Sequence, residues 1–88
     1  MNKYLSPYIT STVSNLYKYR KSLLGSHEFG YSKSYKDGWG LCSWDARFWQ
    51  GKYFNTEQEA KKYLDEYLID KGYVFLTEKQ FSKLKILL

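Results

Sequence analysis

The sequence predicts an α+β fold: a three-stranded antiparallel sheet with helices packed on one face, in the order α-β-β-β-α-α. Three observations carry this reading. From Leu41 to Phe48 the apolar residues Cys42, Trp44, Ala46 and Phe48 alternate with Ser43, Asp45 and Arg47, the mark of a strand with one buried face. Thr56-Glu57-Gln58-Glu59 fits a capping box, in which a hydroxyl and a carboxylate each satisfy an otherwise unpaired amide. Ser6-Pro7 reads as a third signal, an N-cap followed by proline at the first helical position.

In chain order, the first helix is expected to run from Ser6 to a stop at Gly25. Ile9, Val13, Leu16, Tyr17, Leu23 and Leu24 trace its approximate stripe. Thr10-Ser11-Thr12 lowers its propensity, so packing must hold it. A first strand follows at about Phe29–Lys36, closed by Asp37-Gly38. Its odd positions are Phe29, Tyr31, Lys33 and Tyr35. Facing outward, the two tyrosines would flank a lysine and suit base stacking and phosphate neutralisation. Facing inward they are core, the reading favoured by the need of any strand to bury its aromatic side.

The second strand ends in Trp49-Gln50-Gly51-Lys52, where Gly51 suits a hairpin, and Tyr53-Phe54 starts the return strand. The capped helix then places Ala60, Tyr63, Leu64, Tyr67 and Leu68 on one stripe. Gly72 should end it in the left-handed conformation, with Tyr73 folding back on Leu68. Its outward face pairs Glu57 with Lys61 and Lys62 with Glu66 at i, i+4. That is scaffold, not a groove reader, which would carry uncompensated Lys, Arg or Asn. Tyr73–Leu76 is an apolar segment. Thr77-Glu78-Lys79-Gln80 opens a short last helix with Phe81, Leu84 and Leu88 on one side and Lys79, Lys83 and Lys85 on the other. The apolar end Ile86–Leu88 fits either packing against the domain or a dimer seal.

Length and composition bound the rest. Residues 1–88 suffice for one domain, and 43% hydrophobic with 20% aromatic residues excludes a disordered chain. No apolar run reaches the length of a membrane span, and MNKYLSPYITST lacks the apolar core of a signal peptide. One cysteine allows no internal disulfide and fits a reducing compartment, so a cytoplasmic location is expected.

Catalytic constellations are missing from the sequence. His27 is the lone histidine and reads as a loop residue; Cys42 reads as a small buried hydrophobe. Neither a nucleophile set, a metal-ligand cluster nor a glycine-rich phosphate loop is present, so neither an enzyme nor a cofactor is expected.

The net charge of +5 is uneven: residues 1–53 carry eight Lys/Arg against three Asp/Glu, residues 54–88 six against six. A basic first half is an electrostatic footprint for phosphates. The expected function is therefore nucleic-acid binding without catalysis. Lys18, Arg20, Lys21, Lys33, Lys36, Arg47 and Lys52 would form the basic surface, and Tyr31, Tyr35 or Trp49 would supply stacking. Lys18, Arg20 and Lys21 also suit a helix C-terminus, where cations complement the dipole.

The segment Trp44–Leu68, a Trp-bearing strand, a Gly-Lys hairpin, an aromatic and a Thr-started helix containing Ala60, resembles the end of the three-stranded, arm-type DNA-binding domain at the N-terminus of phage integrases. The resemblance implies a sheet whose open face enters the major groove, with DNA contacts from Ser43, Asp45, Arg47 and Lys52. The α-β-β-β-α order is also similar to double-stranded RNA-binding domains, which start the last helix with a lysine pair where this chain has Glu57 and Glu59. In size and its Tyr- and Lys-rich character the chain resembles the small host-takeover proteins of tailed phages. That implies an alternative function: an inhibitor or regulator binding a host defence, toxin or transcription protein through exposed Tyr and Trp, directly or through shared RNA or DNA. DNA or RNA, or a host protein, are thus the expected partners of a monomer or homodimer, with no membrane.

Overall fold

A computed structural model describes residues 3–12, 17–34, 38–46 and 48–87. Among these residues, seven strands and two helices follow one another: β1 (Tyr4–Leu5), β2 (Ile9–Thr10), β3 (Lys18–Lys21), β4 (Glu28–Ser34), β5 (Gly38–Ser43), β6 (Tyr53–Phe54), α1 (Glu57–Asp70), β7 (Val74–Phe75) and α2 (Glu78–Leu87). The class is mixed α and β, as expected, but the sheet has five strands in the order β2-β3-β4-β5-β6, all neighbours antiparallel. β1 and β7 form a separate parallel pair.

The leading helix is the main correction. Its Ser6 does not cap a helix; the hydroxyl accepts the backbone N–H of Lys21 at 2.8 Å. Residues 9–10 and 18–21 are strands instead, while Val13 and Leu16 lie outside the described residues. The physical reason is visible in Tyr17-Lys18-Tyr19-Arg20-Lys21, whose period of two suits a strand between two faces. Backbone partners complete the choice: the N–H of Ser6 donates to the carbonyl of Lys21, and that of Leu23 to Tyr4, both at 2.9 Å. β1 thus ties the end of β3 to β7.

The strand predicted over Leu41–Phe48 stops at Ser43. Ser43 and Ala46 exchange two backbone hydrogen bonds around a tight turn, and Trp44 at that turn is 61% exposed rather than buried. Phe48 then adopts a left-handed backbone, φ +53°, and a short 3-10 turn at Trp49–Gly51 leads into β6.

The local signals that start and end α1 act as expected. Thr56 Oγ1 accepts the N–H of Glu59, the first half of the expected box. Ala60, Leu64 and Leu68 are buried, with Tyr63 and Tyr67 packed beside them. At the far end Gly72 has φ +89°. Its N–H donates to Ile69 and that of Tyr73 to Leu68, both at 3.0 Å, the paired bonds of a Schellman ending. For α2 the box is reciprocal: Gln80 N–H donates to Thr77 Oγ1 at 3.1 Å and Thr77 N–H to Gln80 Oε1 at 2.9 Å.

The core lies between α1 and one face of the sheet: Leu5, Tyr31, Leu41, Ala60, Leu64 and Leu68. Register assigns the faces. Lys18 pairs with Tyr31, Tyr31 with Leu41, Lys33 with Trp39 and Trp39 with Phe54, so these residues share the helix side. Ile9 with Tyr19, Tyr19 with Gly30, Gly30 with Cys42, and Ser32 with Gly40 and Tyr53 share the other.

Candidate functional site: the helix-free aromatic face

Strand β3 divides its side chains between two tasks. Its even positions face α1 and are committed there. Lys18 Nζ meets Glu57 Oε2 at 2.9 Å, and the same oxygen accepts the Tyr31 hydroxyl at 3.2 Å. Arg20 Nε donates to Asp65 Oδ1 at 3.2 Å, and that oxygen also accepts the Tyr8 hydroxyl at 2.5 Å. Arg20 Nη1 donates further to the carbonyl of Ser6 at 2.8 Å. The guanidinium lies 4.1 Å from the Tyr8 ring centroid and 3.9 Å from that of Phe75. With only 9% of the residue exposed, Arg20 is a structural cation.

These contacts account for the electrostatics of the helix side. The hydrogen bond from Lys18 holds the Glu57 carboxyl below its ordinary range. Burial raises the Tyr31 phenol, assisted by Glu57, and raises Tyr8, assisted by the hydrogen bond to Asp65. Glu57 therefore faces Lys18 of the sheet as its hydrogen-bonded cation, with Lys61 acting on it only through charge.

The other sequence-derived binding residues are dispersed. Tyr31 is 2% exposed and meets Trp39 edge-on at 6.1 Å, the inward alternative. Lys33 reaches over Trp39 at 5.6 Å, and Lys52 over Tyr63 of α1 at 5.0 Å. Trp49 packs against Tyr67 at 4.9 Å and Phe29 at 5.8 Å. Lys21 lies on the opposite face, across from Glu28. Tyr35, Lys36 and Arg47 lie outside the described residues. Tyr31, Lys18 and Arg20 thus come together on carboxylates of α1, with Tyr31 and Arg20 buried and Lys18 half-exposed, whereas Lys21, Lys33 and Lys52 do not join them.

Tyr19 of β3, with Tyr17 just before the strand, opens a face that charge counting missed. Tyr17 and Tyr19 lie ring to ring at 5.4 Å, and Phe48 and Tyr53 at 5.6 Å. Beneath them Gly30, Ser32, Gly40 and Cys42 form a buried floor. Small residues are required there. A Cβ at Gly30 would come within 2.6 Å of Tyr19 Cβ, and one at Gly40 would collide with the Phe48 ring. Tyr17 hydrogen-bonds Cys42, and burial together with that bond raises its phenol. Ser32 Oγ has no hydrogen-bond partner in this floor. Tyr53 and Ile9 are exposed; Tyr17, Tyr19 and Phe48 are half-buried. Among the described residues whose register assigns them to this face, the only charges are Lys21 and Glu28, opposite in sign and directly paired.

Chemically, this face is aromatic and poor in charge. Tyrosine and phenylalanine rings present large, stiff contact areas, and the tyrosines add a polar tip. The sequence did hold a signal for it, the alternation at 17–21. Among the described residues no three His, Cys, Asp or Glu side chains gather where they could hold a metal, and no helix is long and apolar enough to cross a membrane. Compared with known protein families, with curated proteins and with solved structures, the chain matches none.

Proposed function

We propose that the chain is a non-catalytic protein-binding module, a regulator that docks its helix-free aromatic face on a partner protein. The observation that carries this reading is the composition of that face: Tyr17, Tyr19, Phe48 and Tyr53, where among the described residues that register assigns to it the only charges are Lys21 and Glu28, of opposite sign and directly across from each other. Aromatic enrichment with depletion of charge is the signature of an interface centre. Phosphate binding draws instead on several uncompensated cations, and Lys18 and Arg20 are engaged by Glu57 and Asp65. The small host-takeover proteins that the chain resembles supply the class of partner: a host defence, toxin or transcription protein.

The test has two arms. Purified protein is titrated with single- and double-stranded DNA and RNA at near-physiological salt, and a photo-crosslinking residue is placed at Tyr53 or, as control, at Lys61. Expected results are no retention of nucleic acid, and one cell protein crosslinked from Tyr53 but not from Lys61, lost on Tyr19→Ser. Salt-steep nucleic-acid binding abolished by Tyr19→Ser would overturn the reading and assign the same rings to stacking on bases.

A further inference from the structure

The helix α2 is poorly covered. None of its residues is buried, none joins the core cluster, and Ile86 and Leu87 are 84% and 72% exposed. Ten residues fall short of the length at which a helix persists alone in water, roughly 12–15 residues. The reciprocal capping box secures its start, but its sides call for a cover. Its charge says what kind: Lys79, Lys83 and Lys85 are exposed, and the one acid, Glu78, lies in the first turn, where it complements the helix dipole.

The same chain carries a surface of opposite sign. On α1, turned away from the buried Ala60, Leu64 and Leu68, lie exposed Glu59, Glu66 and Asp70 with one lysine, Lys62, among them. Ile69, 59% exposed, lies beside Glu66 on the same outer side of α1. Lys79 and Lys83 are four residues apart, as are Glu66 and Asp70, a rise of about 6 Å in both helices.

We propose that α2 of one copy lies antiparallel on the outer face of α1 of a second copy. Lys83 then meets Glu66 and Lys79 meets Asp70, and the two helix dipoles oppose. A two-fold axis repeats the contact, each copy giving one helix and receiving the other. Exposed ion pairs are individually weak, so association is modest and rests on both pairs together with burial of Ile69 and Ile86. The contact is separate from the aromatic face.

Charge exchange tests it. Sedimentation equilibrium on the full chain should show concentration-dependent dimers that dissociate as salt rises. The K79E/K83E and E66K/D70K variants should each be monomeric, and an equimolar mixture should recover a one-to-one dimer. All four positions are exposed and outside the core, and circular dichroism of each variant verifies the fold. A wild-type chain that stays monomeric, variants that self-associate unchanged, or a mixture that stays monomeric would each overturn the proposal. Tyr19→Ser should dimerise like the wild type, which separates this contact from partner docking.

Discussion

Replacing Arg20 by methionine tests whether this cation holds the fold together. Methionine keeps the apolar stem between Tyr8 and Phe75 but removes the donors to Asp65 and Ser6. Breaking a buried pair from one side costs about 3–5 kcal/mol, because the other charge is left without its partner. The Asp65 side chain is 21% exposed and keeps the Tyr8 hydroxyl, which places the loss near the lower end, about 3 kcal/mol. Two ring contacts worth about 1 kcal/mol each are partly replaced by sulfur–aromatic contacts. For a domain of this size, 3 kcal/mol lowers the melting temperature by about 15 °C. Lys18→Met is the internal comparison. Its pair with Glu57 is 39% and 31% exposed, so its loss should cost about 0.5 kcal/mol. Urea unfolding followed by tryptophan fluorescence measures both. Equal effects of the two substitutions, or an Arg20→Met loss under about 1 kcal/mol, would refute the assignment of Arg20 to structure.

Two further outcomes follow from the same geometry. Tyr8, Tyr17 and Tyr31 are held neutral, with phenols raised above their ordinary 10.0. Their contribution is complete below that pH and is lost as pH rises above it, when only the unfolded chain ionises. Glu57 is depressed, so its contribution is complete above its ordinary 4.5 and is lost as pH falls through its lowered value. Melting temperature against pH should therefore form a plateau between these limits, and tyrosinate absorbance should rise together with unfolding. Independent titration of all tyrosines in an intact fold would contradict this. Gly40→Ala would drive a methyl into the Phe48 ring; displacing the ring should cost about 2 kcal/mol in urea unfolding and reduce crosslinking from Tyr53, whereas wild-type stability would show that Phe48 does not cover the sheet there.

Elements with local chemistry were legible in the sequence. Thr56 and Glu59, Gly72 and Tyr73, and Thr77 and Gln80 each act within a few residues of themselves, so both bounds of α1 and the start of α2 followed from side-chain and backbone valence. The first 25 residues were not legible in this way. Ile9, Leu23 and Leu24 fit a helical stripe, while Tyr17–Lys21 fit a strand. What separates the two is bonding to distant chain: Lys21 with Ser6, Tyr19 with Gly30, and Tyr4 with Val74. The exposure of Trp44 was hidden likewise, since a turn closing Ser43 on Ala46 interrupts an unbroken alternation.

By itself, the sequence determined that this chain is a mixed α and β fold with two capped helices, a buried stripe on α1 and an excess of cations early in the chain. Only the tertiary structure decided which of those cations meet carboxylates. Lys18 and Arg20 are separated from Glu57 and Asp65 by 39 and 45 residues, and no local pattern links such groups. Once β3 lies beside β4 with α1 behind the sheet, its even side chains must face the acids of α1, and Tyr19, with Tyr17 just before the strand, must face away. The alternation of a strand, acting across that distance, turns a basic segment into an internal tether on one side and an aromatic surface on the other.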